Sequence, residues 1–130
     1  MRKKILILED EQELAKLYEK FLKGYGYDIV LAFDGLQGLE KLKEMTPDLI
    51  LLDLAMPHMS GIGFYEHVCG SDGKPKYPIL ILTGRVDLED SCKSLHVKGL
   101  LPKPFKGSHL LKTMETILHQ HARKSSVLIA

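Results

Sequence analysis

Cysteine is scarce in this chain: Cys69 and Cys92 are the only two. They form no CxxC pair and cannot build a disulfide framework, so both are expected to be reduced thiols in a cytosolic protein. Long apolar runs are missing as well. No stretch approaches the roughly 20 residues needed to cross a bilayer. After the basic start MRKK, the apolar run ILIL stops at Glu9, short of the roughly 7–15 residues of a secretory signal. No membrane association or export is expected, and the expected location is cytoplasmic. Neither sign of charge is in excess: 18 Lys and Arg face 17 Asp and Glu, a net charge of +1. A polybasic face is therefore not expected, nor is direct nucleic-acid binding. Of the six histidines only His119 and His121 are close. Two residues apart on a helix, they point in different directions, so a shared zinc site is not expected.

What the chain does have is an alternation of short apolar runs and amphipathic segments. With 45% hydrophobic residues over 130 positions it can bury one ordinary core. Ile5–Leu8 reads as a strand. Leu14, Leu17, Tyr18, Phe21 and Leu22 follow at helical spacing, and Gly24 and Gly26 end that helix. Asp28–Leu31 reads as a second strand. Asp34 is placed to cap a helix carrying Leu36, Leu39 and Leu42, which stops before Pro47. Leu49–Leu52 is apolar without a break, as in a strand buried on both faces. A helix from about Ser60 to Cys69 precedes the polar loop GSDGKPK, and Pro78–Leu82 is a fourth buried strand. Asp87 to about Val97 reads as a helix, with Leu88, Cys92 and Leu95 on one side. Leu100 and Leu101 suit a short fifth strand. Leu110, Leu111, Met114, Ile117 and Leu118 mark a last helix from about Gly107. The fold class is α/β, a parallel sheet covered on both faces. It forms one domain over residues 1–122, with 123–130 as a tail or truncated linker.

In an open parallel sheet, ligands collect beyond the carboxyl ends of the strands. Those ends carry a short, charged set here: Glu9, Asp10 and Glu11 after the first strand, Asp53 after the third, Thr83 after the fourth and Lys103 after the fifth. Converging carboxylates repel one another, which raises some of their pKa values unless a cation is bound. Carboxylate, carbonyl and water oxygens suit magnesium, or manganese in its place, rather than zinc. A lysine and a hydroxyl opposite such a cation allow the site to hold a phosphoryl group.

The elements ILILEDE, LILLDLAMPHMSG, PILILTG and LLPKPF, in that order and spacing, resemble the receiver domains of bacterial response regulators, the chemotaxis-regulator type included. The resemblance runs from end to end. It implies a doubly wound, flavodoxin-like receiver fold with five parallel strands in the order 2-1-3-4-5. It also implies the part each residue plays: Asp53 is the phosphoacceptor, Asp10 ligates Mg²⁺ directly, Glu9 helps through water, and the backbone carbonyl of Ala55 completes the set. Thr83 would bind a phosphoryl oxygen, and Lys103 would pair with the phosphate or, before phosphorylation, with Asp53. The Lys103–Pro104 peptide is expected to be cis. The implied function is two-component signalling, with the phosphoryl group taken from a sensor histidine kinase or phosphotransfer protein and a surface switched for a downstream partner or effector domain. Such a domain is no enzyme beyond Mg-dependent self-phosphorylation and self-dephosphorylation. A non-phosphorylated interaction scaffold is the alternative.

Several positions depart from the family pattern. Glu9 stands where aspartate is more frequent. Ala55 offers no side-chain hydrogen bond to orient water, and Arg85 could contact the phosphoryl group. Leu100 replaces the usual aromatic switch residue and is expected to stay packed in both signalling states. Gly99 replaces an acidic residue used in some receiver dimers. Two enzymes of the same architecture fit poorly. A dehalogenase-type phosphatase needs an aspartate where Ala55 stands, and the acidic Glu9–Glu11 segment would repel the phosphate of a flavin.

Overall fold

A computed structural model describes the backbone of residues 2–54, 61–84 and 94–129, and the side chains of these as far as residue 120. Five strands are β1 (Lys4–Leu8), β2 (Asp28–Ala32), β3 (Leu49–Asp53), β4 (Ile79–Thr83) and β5 (Gly99–Pro102). Among the described residues the helices are α1 (Gln12–Lys23), α2 (Gly35–Glu44), α3 (Gly61–Val68) and α4 (Gly107–Ile129). The strands form one sheet in the order β2-β1-β3-β4-β5, all neighbours parallel. The expected strand order and fold class are those observed.

Period-two alternation divides the core into two layers. Ile5, Ile7, Leu49, Leu51, Leu80 and Leu82 face one side, where Leu22 of α1 and Leu110, Met114 and Ile117 of α4 cover them. Leu6, Leu8, Ile50, Leu52, Ile79 and Ile81 face the other and pack on Phe64 and Val68 of α3, with Leu39 and Leu42 of α2. Every residue of β3 and β4 is buried, which is why those two strands read as unbroken apolar runs.

The start of α2 is as expected. Asp34 Oδ1 accepts the Gln37 N–H at 2.8 Å, and Gln37 Oε1 accepts the Phe33 N–H at 2.9 Å. Two donors at the helix entry are thereby satisfied. Asp34→Ala is expected to cost about 1 kcal/mol, read as a lower urea midpoint with an unchanged slope.

In two stretches the backbone adds to or departs from the sequence expectation. The tail expected over 123–130 continues α4 as far as Ile129. No glycine or proline follows Gly107, so nothing in the sequence breaks the helix. The helix expected over 87–97 lies outside the described residues as far as 93, and Leu95–Val97 are not helical. Here the His96 N–H donates to the Tyr65 hydroxyl at 2.8 Å. Leu100 is half-buried and packs against the apolar cluster that contains Ile79 and Ile81.

Candidate functional site

The sheet order reverses direction at β1, from which the chain runs first to β2 on one side and then to β3 on the other. Such a reversal opens a crevice at the carboxyl ends of the two central strands. The turn after β1 brings Glu9 and Asp10 to that crevice, where the Glu9 N–H is held by the Ala32 carbonyl at 3.0 Å. Asp53 is the last residue of β3 and Thr83 the last of β4. The Lys103 N–H donates to the Thr83 carbonyl at 2.7 Å, which fixes the residue after β5 beside the end of β4. The Lys103–Pro104 peptide is cis, as the resemblance implied.

Glu9, Asp10 and Asp53 each present a carboxylate oxygen, and these oxygens lie within 4.8 Å of one another. Glu9 is 2% exposed, Asp53 7% and Thr83 1%. Lys103 reaches in from above: its Nζ is 2.7 Å from Glu9 Oε1 and 3.4 Å from Asp53 Oδ2. The sequence pointed to Asp53 as the lysine's partner, and Asp53 is within ion-pair distance, but Glu9 is nearer by 0.7 Å (3.4 − 2.7). A glutamate at position 9 is one methylene longer than the usual aspartate, and its carboxylate is the nearer of the two to the ammonium. The second oxygen of Glu9 accepts the Glu11 N–H at 3.3 Å.

Three carboxylates share one ammonium, so the crevice carries uncompensated negative charge. Burial, reinforced by the charge of Asp53 and only partly offset by Lys103, pushes the Glu9 carboxyl up to about 7. For Lys103, burial acts to lower the pKa, but the hydrogen bond to Glu9 and the charges of Asp53 and Glu9 raise it on balance. Between the two Glu9 pKa values, 4.5 unfolded and about 7 folded, the folded chain holds a proton that the unfolded chain has lost. In chelator the contribution of this group to stability is therefore full below about pH 4.5 and declines as the pH rises through about 7. The raised Lys103 pKa lies above this window and contributes no change within it. Urea midpoints measured across that range should fall with pH in chelator, and the fall should be shallower in Glu9→Gln.

Ala55 and Arg85 lie outside the described residues, so the expected carbonyl ligand is not placed. The structure also brings forward two residues that the sequence reading left in the core or unremarked. Tyr18 and Phe105 stack with ring centroids 6.0 Å apart, next to Lys103. They wall a cavity of about 440 Å³ together with Leu14, Leu17, Phe21 and Leu110. Burial raises the Tyr18 pKa, and the nearby Glu9, Asp53 and Glu11 charges add to it while Lys103 opposes. Helical spacing identified Tyr18 as inward-facing, but nothing local in the sequence said that it would face a lysine 85 positions later (103 − 18).

A cluster of carboxylates, two of them buried, and a lysine at the switch point of a doubly wound parallel sheet is a layout suited to handling a phosphoryl group. Comparison with known proteins agrees. The family model for the response regulator receiver domain matches residues 5–115. The Regulator of RpoS of Escherichia coli K12 is 37% identical over 114 residues, covering 86% of this chain and 33% of that protein. The response regulator ArlR of Staphylococcus saprophyticus is 35% identical over 126 residues, covering 95% of this chain and 56% of that one. The chain thus spans about a third to a little over half of these relatives. Among solved structures, the chemotaxis response regulator CheY4 of Vibrio cholerae superposes with a TM-score of 0.80 at 29% identity, covering 90% of this chain and 99% of that one. The chain belongs to the response-regulator receiver family and is a receiver domain of two-component signalling. Its acidic cluster could hold a metal ion. Among the described residues no helix is long and apolar enough to cross a membrane.

Proposed function

We propose that residues 1–122 form a cytoplasmic receiver unit that accepts a phosphoryl group on Asp53 from the phosphohistidine of a sensor kinase or phosphotransfer protein. The observation that carries this reading is the ion-paired crevice itself: Asp53, buried at the end of the central strand, within 3.4 Å of Lys103 and clustered with Glu9 and Asp10.

An Asp53 carboxylate oxygen attacks phosphorus in line as the nucleophile. The new O–P bond forms as the P–N bond of the phosphohistidine breaks, and the departing imidazole takes up a proton. Lys103, aimed by its backbone bond to Thr83, neutralises charge on the transferred group, and the Thr83 hydroxyl donates to one of its oxygens. Glu9, Asp10 and Asp53 are the side chains that would hold Mg²⁺, with the Ala55 carbonyl as a further ligand, and the all-oxygen donor set fits that hard cation. When bound, Mg²⁺ supplies two positive charges beside the reacting oxygens. Three carboxylates, Lys103 and the cation then sum to zero, and phosphorylation takes the site to about −1, against about −3 without the cation. The cation requirement follows from that difference. The phosphoryl group then shifts the ends of β4 and β5 and the surface beside them, which a downstream partner or effector domain reads.

The test is to incubate the chain with acetyl phosphate and weigh it intact. A gain of one phosphoryl group in Mg²⁺, absent in chelator, is expected. No gain under either condition would favour a receiver-like scaffold that only binds partners.

A further inference from the structure

Both carboxylate oxygens of Glu9 hold a partner without any cation. Oε1 takes the Lys103 ammonium at 2.7 Å and Oε2 accepts the Glu11 N–H at 3.3 Å. At 2% exposure it is screened from bulk water, so a cation approaching Oε1 meets the ammonium already bound there. Lys103 is likewise constrained, because its own N–H is tied to Thr83 and its Nζ lies between Glu9 and Asp53. We infer that Glu9 is a latch on Lys103: cation binding in the acidic crevice and pairing with Lys103 compete for one carboxylate, so a bound cation releases the lysine toward Asp53. This rests on the proposed cation site and goes further by assigning an order of events. Without the cation the lysine is shared, nearer Glu9 than Asp53; with the cation in place Asp53 becomes its main carboxylate partner.

The latch depends on the length of the side chain. Aspartate at position 9 would end roughly 1.5 Å short, one carbon–carbon bond, and would leave the ammonium beyond hydrogen-bond range. Competition for a shared group is a coupling between two binding events, and it must act equally in both directions. Removing the lysine therefore strengthens cation binding in two separable ways. One is the loss of a nearby positive charge, which any background would show. The other is the release of Glu9, which only the glutamate background can show.

The experiment is a Mg²⁺ titration followed by amide chemical shifts, at one fixed, mildly alkaline pH. It compares the unaltered chain, Lys103→Met, Glu9→Asp and the double variant, each confirmed as folded by circular dichroism. Lys103→Met should tighten Mg²⁺ about tenfold in the glutamate background and less than about threefold with aspartate at position 9. Equal factors in the two backgrounds would overturn the latch while leaving the cation site standing. No Mg²⁺ response in any variant would overturn both. A second measurement needs no variant: crystal structures of the unaltered chain grown with and without Mg²⁺. The Nζ to Oε1 separation should lengthen past hydrogen-bond range when Mg²⁺ is bound, and a pair still closed with Mg²⁺ present would also overturn the latch.

Discussion

Asp53→Asn is expected to abolish labelling by acetyl phosphate, with the phosphorylated fraction falling to background at every Mg²⁺ concentration. The amide has nearly the shape of the carboxylate but lacks a nucleophilic oxygen, so the loss isolates chemistry from packing. Stability provides the control. Asp53 is buried within a cluster of three acids, and its ion pair with Lys103 is the longer of the two, at 3.4 Å. Neutralising it removes repulsion from Glu9 and Asp10 as well as attraction to Lys103, which keeps its shorter pair with Glu9, so the two effects oppose. The melting temperature should therefore hold while labelling vanishes. Retained labelling would place the acceptor elsewhere, and peptide mapping would show where.

Gly61→Ala should have the largest effect on folding. Gly61 opens α3, and its N–H donates to the Leu54 carbonyl at 2.9 Å. A Cβ at this position would collide with the Asp53 carbonyl oxygen and the Leu54 Cα, which are backbone atoms with no rotamer through which to escape. The strand end or the helix start must then move, at a cost of roughly 3 kcal/mol. That is on the order of 10 °C in melting temperature for a chain of this size. Because the displaced atoms belong to Asp53, labelling should slow in whatever fraction stays folded. Gly73→Ala serves as a comparison. Its φ of 77° strains any side chain, yet nothing lies within 4 Å of its Cβ position, so about 1 kcal/mol is expected there. A Gly61→Ala loss no greater than that of Gly73→Ala would show that the junction between β3 and α3 can relax.

How far the sequence could be read depended on how local each determinant was. Leu49–Leu52 and Ile79–Leu82 announced themselves because both faces of β3 and β4 are buried, leaving no polar position to interrupt the run. Asp34 was legible because its partner, Gln37, is three residues away. The acidic crevice was legible because in a parallel sheet every strand delivers its last residue to the same edge, so finding strand ends amounts to finding the site. The lysine's nearer partner was not, because Glu9 and Lys103 are 94 residues apart and only the fold sets their distance. The same holds for the Tyr18–Phe105 stack beside the site, which only the meeting of α1 with the loop before α4 creates. The continuation of α4 was underestimated for a different reason. Arg123 to Ala130 lacks an apolar stripe of the kind that marked the preceding turns, yet it also lacks anything that would end a helix.

The 2.7 Å bond from the Lys103 amide to the Thr83 carbonyl couples the two strand ends mechanically. Thr83 ends β4 and Lys103 follows β5, and this bond ties the one to the other. A backbone shift at one is felt at the backbone of the other. The hydroxyl and the ammonium of the crevice are thus borne on two backbone segments that share this bond. A shift of the Thr83 carbonyl therefore bears directly on the residue that follows β5.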